Sequence, residues 1–380
     1  MIYVVKPGDI VDQIALNNNI AVESIIYDNQ IPFPYRLAVG QSLFLAVNGQ
    51  ETAKRGLFVN GYAYPFISEW VLNQTLPYLT DLSVFSYGFT REGQLIPPLW
   101  EDQWMITAAS QYGVQAILTL TPFDERGIFN NRLISAVVNS EEATATLIRQ
   151  LQEILRQKGF RGVDVDFEYI LAEDRDAFTN FVGILTQVLN AEGYQVSVAL
   201  APKTSSTQQG LLYEGKDYRR LGEEANHVLL MTYEWGYTYG PPMAVAPINK
   251  VREVVDYAVT EIILSKINLG IPNYGYDWPL PYVRETTRAQ TIGNIEAVQL
   301  AIMQGVEIQF DELAQSPFFR YTEAGVMHEV WFEDVRSLNA KFNLVKEYGL
   351  RGVGYWQIMQ LFRANWLLLD SLFIPSKTIS

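Results

Sequence analysis

The 380-residue chain contains no cysteine and only two histidines, His227 and His328. Without cysteine it can form no disulfide, no zinc finger, no thiolate nucleophile and no iron–sulfur site. Two histidines also disfavour a Ser-His-Asp triad or a metal centre built from several imidazoles. We therefore expect neither a metal nor another cofactor, and we look to other side chains for the chemistry.

Basic residues are also scarce, with 28 Lys and Arg against 42 Asp and Glu and a net charge of −14. This balance disfavours a nucleic-acid partner. No apolar run approaches the ~20 residues that a membrane-spanning helix needs. The opening residues 1–9 lack the basic segment and apolar core of a secretory signal. We expect a monomer without a membrane span.

Residues 1–47 have the pattern of a small separate module. Two short apolar runs flank two helical segments, and Asp9 follows a Pro-Gly turn where it could cap the first helix. The order is β-α-α-β, with elements at Ile2–Val5, Asp9–Leu16, Val22–Asn29 and Ser42–Ala46. The polar residues 48–55 are interpreted as a linker to a second domain over 56–380.

From residue 56 onward, apolar runs alternate with helical segments at a spacing of roughly 25–40 residues. The eight candidate strands are Leu57–Gly61, Leu82–Tyr87, Gln115–Leu120, Gly162–Phe167, Gln195–Leu200, His227–Thr232, Lys266–Ile271 and Gly352–Trp356. This alternation predicts an α/β fold, a closed (β/α)₈ TIM barrel. An open doubly wound sheet is the alternative, although no Gly-x-Gly-x-x-Gly follows a strand. Residues 274–334 exceed a normal loop and predict a small α+β insertion before the last strand.

Three acids, Asp164, Asp166 and Glu168, are spaced by two at the fourth candidate strand. Alternate side chains of a strand share a face, so all three carboxyl groups should point the same way. One interpretation is an edge strand with its acidic side in water. In a barrel strand the acids would instead face the interior, where like charges repel and one or two carboxyls keep their protons. Glu168, at the tip, would then suit a general acid.

Aromatic and polar residues at other strand ends are further candidates. Tyr233 could be a phenol donor or a packing residue, and Trp356 could be a sugar-stacking floor or a core residue. Residues at or just past strand ends, which either line a cleft or only pack, are Tyr62, Tyr87, Asn273, Tyr274 and Trp278.

These motifs resemble those of glycoside hydrolase family 18, the chitinase-type hydrolases. Residues 161–168 are similar to the family pattern D-G-x-D-x-D-x-E, with Arg161 in place of the first Asp. Residues 231–234 are similar to M-x-Y-D, with Glu234 in place of the Asp. Residues 2–46 resemble a LysM module, through the opening residues 3–9 and the closing residues 37–41.

The family resemblance implies substrate-assisted retaining hydrolysis beside an N-acetylglucosamine. It implies that Glu168 is the acid, that Asp166 stabilises the substrate's acetamide, and that Asp164 supports Asp166. It also implies that Tyr233 orients the acetamide and that Trp356 lies under the sugar. The other residues expected to bind substrate are Met231, Glu234, Tyr62, Tyr87, Asn273 and Tyr274.

The combination of module and barrel resembles the spore cortex-lytic N-acetylglucosaminidases of endospore-forming bacteria. That resemblance implies peptidoglycan, or another polysaccharide containing N-acetylglucosamine, as partner and a spore-associated or cell-wall location. The module's glycan groove would come from residues 8–10 and 31–34. Two alternatives stay open: a chitinase acting on chitin oligomers, and a non-catalytic lectin or spore-coat protein.

Overall fold

The computed structural model describes residues 1–47 and 54–377. The N-terminal module is a two-stranded antiparallel sheet with two helices between its strands. Val11, Ile14 and Ile25 help to close a small apolar core of its own. The predicted β-α-α-β order is confirmed, with elements β1 (Ile2–Val4), α1 (Val11–Asn18), α2 (Val22–Asp28) and β2 (Ser42–Phe44).

The turn before α1 differs from the prediction. The Asp9 carboxylate accepts hydrogen bonds from the Lys6 backbone N–H and the Tyr3 hydroxyl, both at 2.8 Å. Ile10 occupies the N-cap position. Because Asp9 closes the turn instead of capping the helix, the capping prediction is wrong. The predicted linker over 48–55 falls largely on residues 48–53, which lie outside the described residues.

Eight parallel strands form the closed barrel. The strands after the module are β3 (Arg55–Ala63), β4 (Asp81–Phe89), β5 (Leu95–Ile96), β6 (Gln115–Leu120), β7 (Gly162–Val165), β8 (Gln195–Leu200), β9 (His227–Leu230), β10 (Ile267–Pro272), β11 (Gly275–Leu280), β12 (Gln290–Ile292), β13 (Gln309–Asp311), β14 (Ser316–Glu323), β15 (Val326–Trp331), β16 (Gly352–Trp356) and β17 (Phe373–Pro375). The eight barrel strands have the order β3-β16-β10-β9-β8-β7-β6-β4, and the barrel closes where β3 pairs with β4, beginning at Asn60 and Asp81. The (β/α)₈ prediction is confirmed, and the open-sheet alternative is wrong.

Helices cover the outside of the barrel, and the amphipathic α6 (Glu141–Lys158) shows how they pack against it. Its Ser140 side chain accepts the Ala143 N–H at 3.2 Å, a cap worth about 1 kcal/mol. Leu147, Leu151 and Leu155 then recur every four residues on its buried face. The helices are α3 (Glu69–Thr75), α4 (Gln103–Gln111), α5 (Arg132–Val138), α6 (Glu141–Lys158), α7 (Arg175–Ala191), α8 (Tyr218–Glu224), α9 (Ile248–Glu261), α10 (Asn294–Gln304), α11 (Val335–Tyr348) and α12 (Arg363–Leu372). In the described part of the chain, none of them is long and apolar enough to cross a membrane.

The insertion between β10 and α11 is a five-stranded antiparallel sheet with the order β12-β11-β15-β14-β13. Ala297 and Ala301 of α10 pack in one apolar cluster with Phe319 and Val330 of the sheet. The small α+β insertion is confirmed. Because β10 leads directly into β11, the insertion rises at the carboxyl ends of the barrel strands.

The module packs against the barrel at α12. The Arg363 guanidinium donates to the Tyr27 carbonyl at 3.0 Å and lies 3.8 Å from the centre of the Tyr27 ring. The Arg363 N–H donates to the Gln30 side chain at 2.7 Å, and that side chain donates back to the Leu361 carbonyl at 3.2 Å. Phe44 of β2 belongs to the main barrel core.

The module also packs against the insertion and against α11, which follows it. The Ile308 N–H donates to the Val39 carbonyl at 2.9 Å, and Arg336 donates to the Gly40 carbonyl at 3.1 Å. Gly40 has φ +81°, and a Cβ there would lie 1.9 Å from the Ile308 carbonyl oxygen. Only glycine fits such a position. We call the two sets of contacts, around Arg363 and around Gly40, the module seam.

Candidate active site

Three carboxyl groups follow one another along β7 and the segment after it. Asp164 lies in β7 and is buried, whereas Asp166 and Glu168 lie just beyond the strand. The Asp164 carboxylate accepts the Tyr62 hydroxyl at 2.8 Å and the Ser197 hydroxyl at 2.5 Å. Burial raises the pKa of Asp164, and these two hydrogen bonds oppose that rise.

Asp166 and Glu168 line a cleft of about 550 Å³ at the carboxyl ends of the strands. Burial raises the pKa of Asp166 well above its usual value, and repulsion from Glu168 and Asp164 adds to the rise, while Lys216 opposes it. Burial also raises the pKa of Glu168, again against Lys216. The pair therefore retains protons to higher pH than free carboxyls would, and Glu168 faces the space where a substrate would lie.

Met231 and Tyr233 follow β9 and line the same cleft. Burial raises the pKa of Tyr233 well above its usual value, and the charges of Asp166 and Glu168 add to the effect. The phenol therefore stays protonated and can donate a hydrogen bond into the cleft.

Glu234 is fixed to the insertion by two phenols. Its backbone has φ +67°, and both the Tyr274 and Tyr276 hydroxyls donate to its carboxylate, the latter at 2.9 Å. Although the residue is exposed, desolvation of the carboxylate raises its pKa, and the phenols oppose that rise. Glu234 lines the cleft, whereas the predicted cleft residue Tyr274 contributes by holding it.

Trp356 ends β16 and forms one wall of the cleft. Its ring meets Tyr62, Tyr64 and Phe85 edge-on, with centroid distances of 5.8, 6.1 and 4.9 Å. Three supporting rings hold the indole in place, so it offers a rigid apolar surface on which a pyranose can stack. Tyr62 lies behind this wall and reaches the site through Asp164.

Tyr87 lies on the other side of the sheet from the cleft. Its hydroxyl donates to the buried Asp102 at 2.6 Å, and its ring packs on Phe160. The pairing of β4 with β6 shifts register between Val84 and Tyr87. An extra residue at this point reverses the alternation of side chains, so the expectation that Tyr87 lines the cleft is wrong.

Asn273 and Trp278 serve the walls of the site and are not in its lining. The Asn273 amide donates to the carbonyls of Gln357 and Gln360 at 3.1 and 3.0 Å, which braces the loop after β16. Trp278 is fully buried and donates to the Gly240 carbonyl at 2.8 Å.

Several cleft residues were not anticipated. The loops after β7, β8 and β9 contribute four aromatic side chains to the lining: Tyr169, Tyr213, Trp235 and Tyr237. Their location in the loops that follow barrel strands was an available signal. Ser197 was also missed, although it is the polar residue within the apolar 196–200 run and pairs in register with Asp164.

Together these side chains form a site for acid-catalysed cleavage. A protonated carboxyl, a second acid beside it, a phenol donor and an aromatic wall surround one cleft, which suits a glycosidic bond. Within residues 1–47 and 54–377, no three His, Asp or Glu side chains are grouped to hold a metal ion.

Comparison with known families agrees with this geometry. Residues 129–360 match the family described as Glycosyl hydrolases family 18, and residues 3–46 match the LysM domain. The first match covers more than half of the chain. The chain therefore belongs to glycosyl hydrolase family 18 and is a glycoside hydrolase with an N-terminal LysM domain, as its motifs indicated.

The similarity to individual relatives extends over the whole chain. The chain is 38% identical to a cortical fragment-lytic enzyme of Bacillus subtilis (strain 168), in an alignment that covers 98% of both proteins. It is 39% identical to a cortical fragment-lytic enzyme of Bacillus anthracis, over 82% of this chain and 73% of the relative. The crystal structure of the Bacillus megaterium QM B1551 spore cortex-lytic enzyme SleL superposes with a TM-score of 0.94 at 34% identity, covering 100% and 99% of the two chains.

Proposed function

We propose that this enzyme hydrolyses β-1,4 bonds after N-acetylglucosamine in spore-cortex peptidoglycan and that it is associated with the spore. The observation that carries the proposal is the meeting of Glu168, Asp166 and Tyr233 around one cleft. The end-to-end similarity to cortical fragment-lytic enzymes supports the polymer.

In the first step, Glu168 protonates the glycosidic oxygen and the leaving sugar departs. The carbonyl oxygen of the substrate's own acetamide attacks the anomeric carbon, so no protein nucleophile is needed. Asp166 accepts a hydrogen bond from the acetamide N–H and stabilises the positive charge of the oxazolinium intermediate. Tyr233 donates to the acetamide oxygen and fixes its line of attack.

In the second step, the deprotonated Glu168 takes a proton from water, which opens the intermediate with net retention. Asp164 supports Asp166 from below and is itself held by Tyr62 and Ser197. Trp356 carries the apolar face of the distorted sugar.

The LysM module would hold the polymer near the cleft. Ile10 and Phe33, in the two expected groove segments, are 59% and 83% exposed. Phe33 meets Tyr35 edge-on at 5.7 Å, so neighbouring rings offer a stacking surface for N-acetylglucosamine. Attachment by the module raises the local concentration of bonds at the cleft.

The test compares Glu168→Gln with Glu173→Gln, which changes an exposed acid five residues away. Rates would be measured on soluble cortex fragments, on chitin oligomers and on de-N-acetylated cortex fragments. We expect Glu168→Gln to lose a factor of about 10²–10⁴ on cortex fragments, because general acid catalysis is lost, and Glu173→Gln to keep the wild-type rate. De-N-acetylated fragments should be nearly inert, since they lack the internal nucleophile.

Each alternative function has its own outcome in this experiment. Near-normal turnover by Glu168→Gln would contradict the role of the acid. Faster cleavage of chitin oligomers than of cortex fragments by the wild type would identify a chitinase. Binding to cortex without release of any fragment would identify a lectin or a structural protein.

A further inference from the structure

Lys216 is a buried cation beside the cleft that the mechanism above does not use. It lies in the loop between β8 and α8, and its residue is only 1% exposed. Its ammonium donates to the Ala199 carbonyl of β8 at 3.3 Å. One long contact with a neutral carbonyl does not replace the hydration of an ammonium, so other groups must stabilise the charge.

The backbone around Lys216 is held tightly against the catalytic strand. A Cβ at Gly215 would lie 2.3 Å from the Ile170 carbonyl oxygen, so this loop packs directly on the chain that follows Glu168. The Lys216 carbonyl accepts the Lys203 ammonium at 2.9 Å. On the other side, Asp217 caps α8 through the Arg220 N–H at 3.1 Å.

The Ala199 carbonyl that accepts from Lys216 follows Val198, and Val198 pairs with Val165 across β8 and β7. The ammonium therefore lies beside the point where Asp166 follows the strand. The carboxyl groups of Asp166 and Glu168 are the acids that attract it. Burial lowers the pKa of Lys216 to about 8, and these two carboxyls oppose that fall, so the side chain is charged below about pH 8. Asp166 Oδ1 is buried and has no hydrogen-bond partner among the described residues. The attraction therefore acts through space and leaves the acids free for substrate.

Other titratable groups surround these acids from several elements. Asp164 lies behind Asp166 on β7, and Glu234 follows β9 next to Glu168. The phenols of Tyr62, Tyr64 and Tyr233 also face them. The nearby Lys203 is balanced by Asp217 and other acids away from the cleft. Among the described residues, Lys216 is the cation that acts on both catalytic carboxyls.

We propose that Lys216 is a positioning residue of the hydrolytic reaction: its ammonium is the fixed counter-charge that allows an ionised Asp166 to lie beside a protonated Glu168. The inference rests on the proposed roles of these two acids. Lys216 exchanges no proton with the substrate. It lowers the pH at which Asp166 ionises and the pH at which Glu168 loses its proton, and so it sets the pH range of activity.

The test is the pH profile of kcat/KM for Lys216→Met, which removes the charge and keeps the length, and for Lys216→Arg, which keeps the charge. In Lys216→Met we expect two limbs of the profile to move to higher pH by about one unit: the acid limb, where Asp166 ionises, and the alkaline limb, where Glu168 loses its proton. Both move because each carboxyl loses a nearby positive charge in a low-dielectric site. At the acid limb this shift lowers kcat/KM roughly tenfold. Lys216→Arg should keep both limbs close to wild type.

A merely structural role would give a different result. A fall in rate with unmoved limbs in Lys216→Met, or an equal shift in Lys216→Arg, would overturn the proposal. If Lys216→Met did not fold, the neutral but polar Lys216→Gln would take its place, and a profile whose acid and alkaline limbs stay at the wild-type pH would again contradict the proposal. The profile can be measured on whichever polymer the wild type cleaves, so failure of the cortex assignment is a separate outcome.

Discussion

The two ends of the barrel interior hold their buried acids in different ways. Where the strands begin, Asp81 accepts a hydrogen bond from the Gln195 amide at 2.8 Å, and the Gln195 oxygen bonds Nε2 of His227 at 3.2 Å. Where the strands finish, neither carboxyl oxygen of Asp166 accepts a hydrogen bond from a described residue, whereas Asp81 lacks a partner only at Oδ1. The acid at the strand starts therefore belongs to a hydrogen-bonded network, whereas Asp166 at the strand ends faces the cleft.

The network at the strand starts continues from His227 to an arginine. The Asn268 amide donates to Nδ1 of His227 at 3.2 Å, and Arg351 donates to the Asn268 oxygen at 3.2 Å. The Arg351 guanidinium lies 3.4 Å from the centre of the Phe58 ring. Burial lowers the pKa of His227 well below its usual value, which agrees with a neutral ring that donates at Nε2 and accepts at Nδ1.

This difference separates stability from catalysis within one fold. Connected polar networks make an interior rigid, whereas buried acids without partners lower stability and are retained where chemistry needs them. Substitutions at the strand starts should therefore change the free energy of unfolding, and substitutions at the strand ends should change the rate.

The largest expected effect is at Asp166. Asp166→Asn should lower kcat by about 10²–10³-fold, because the positive charge of the intermediate loses its stabilising carboxylate. Its unfolding temperature should stay the same or rise, since a repulsive buried acid is removed. Steady-state rates and thermal unfolding of the same preparation check both. A large fall in unfolding temperature with an unchanged rate would show that Asp166 serves stability and not catalysis, contrary to the comparison above.

Arg351 tests the opposite end. Arg351→Met should lower the free energy of unfolding by about 2 kcal/mol, because Asp81 loses an opposing charge and Asn268 loses a donor. Hydrolysis per folded molecule should stay within about twofold of wild type. Urea unfolding of this variant would be compared with Arg252→Met, whose partner Glu347 is half exposed and whose effect should be much smaller, because solvent screens the pair. Equal effects of the two variants would contradict the network's role.

The module seam lies outside the barrel interior, and a substitution there should have the smallest effect of the three. Arg363→Ala removes the guanidinium from Tyr27 and should lower stability by about 1 kcal/mol, with no change in hydrolysis of small soluble fragments. Arg149→Ala, which breaks an exposed pair on α6, is the control for the loss of an arginine. A drop in small-fragment hydrolysis by Arg363→Ala would show that the seam acts on the cleft itself.

The barrel and its acids could be predicted because both follow simple periods. Spacing by two predicted a common direction for Asp164, Asp166 and Glu168, and the last two line the cleft although β7 ends at Val165. The same rule failed at Tyr87, since one extra residue in β4 reverses the faces and leaves no mark in an apolar run. Asp9 was misplaced because a turn and a helix start compete for one carboxylate.

Residues brought in by irregular loops could not be predicted. Lys216 reaches the acids from a loop with no period, and its burial depends on Gly215 packing against Ile170. The two phenols on Glu234 come from around the start of the insertion, more than 35 residues away in sequence. Such contacts depend on tertiary packing, which single-sequence periodicity does not contain.

The double attachment of the LysM module has a consequence for how the enzyme meets an insoluble wall. A module on a flexible tether would sample many orientations, and the cleft would reach any bond within the tether's radius. Here Val39 and Tyr27 are hydrogen-bonded to different parts of the catalytic domain, and these two contacts oppose rotation of the module relative to the cleft. A glycan strand bound by the module, as proposed above, would then present to the cleft only bonds at a fixed distance and angle from the module. A wall in which few glycan strands have that arrangement would be cut slowly even where cleavable bonds are plentiful.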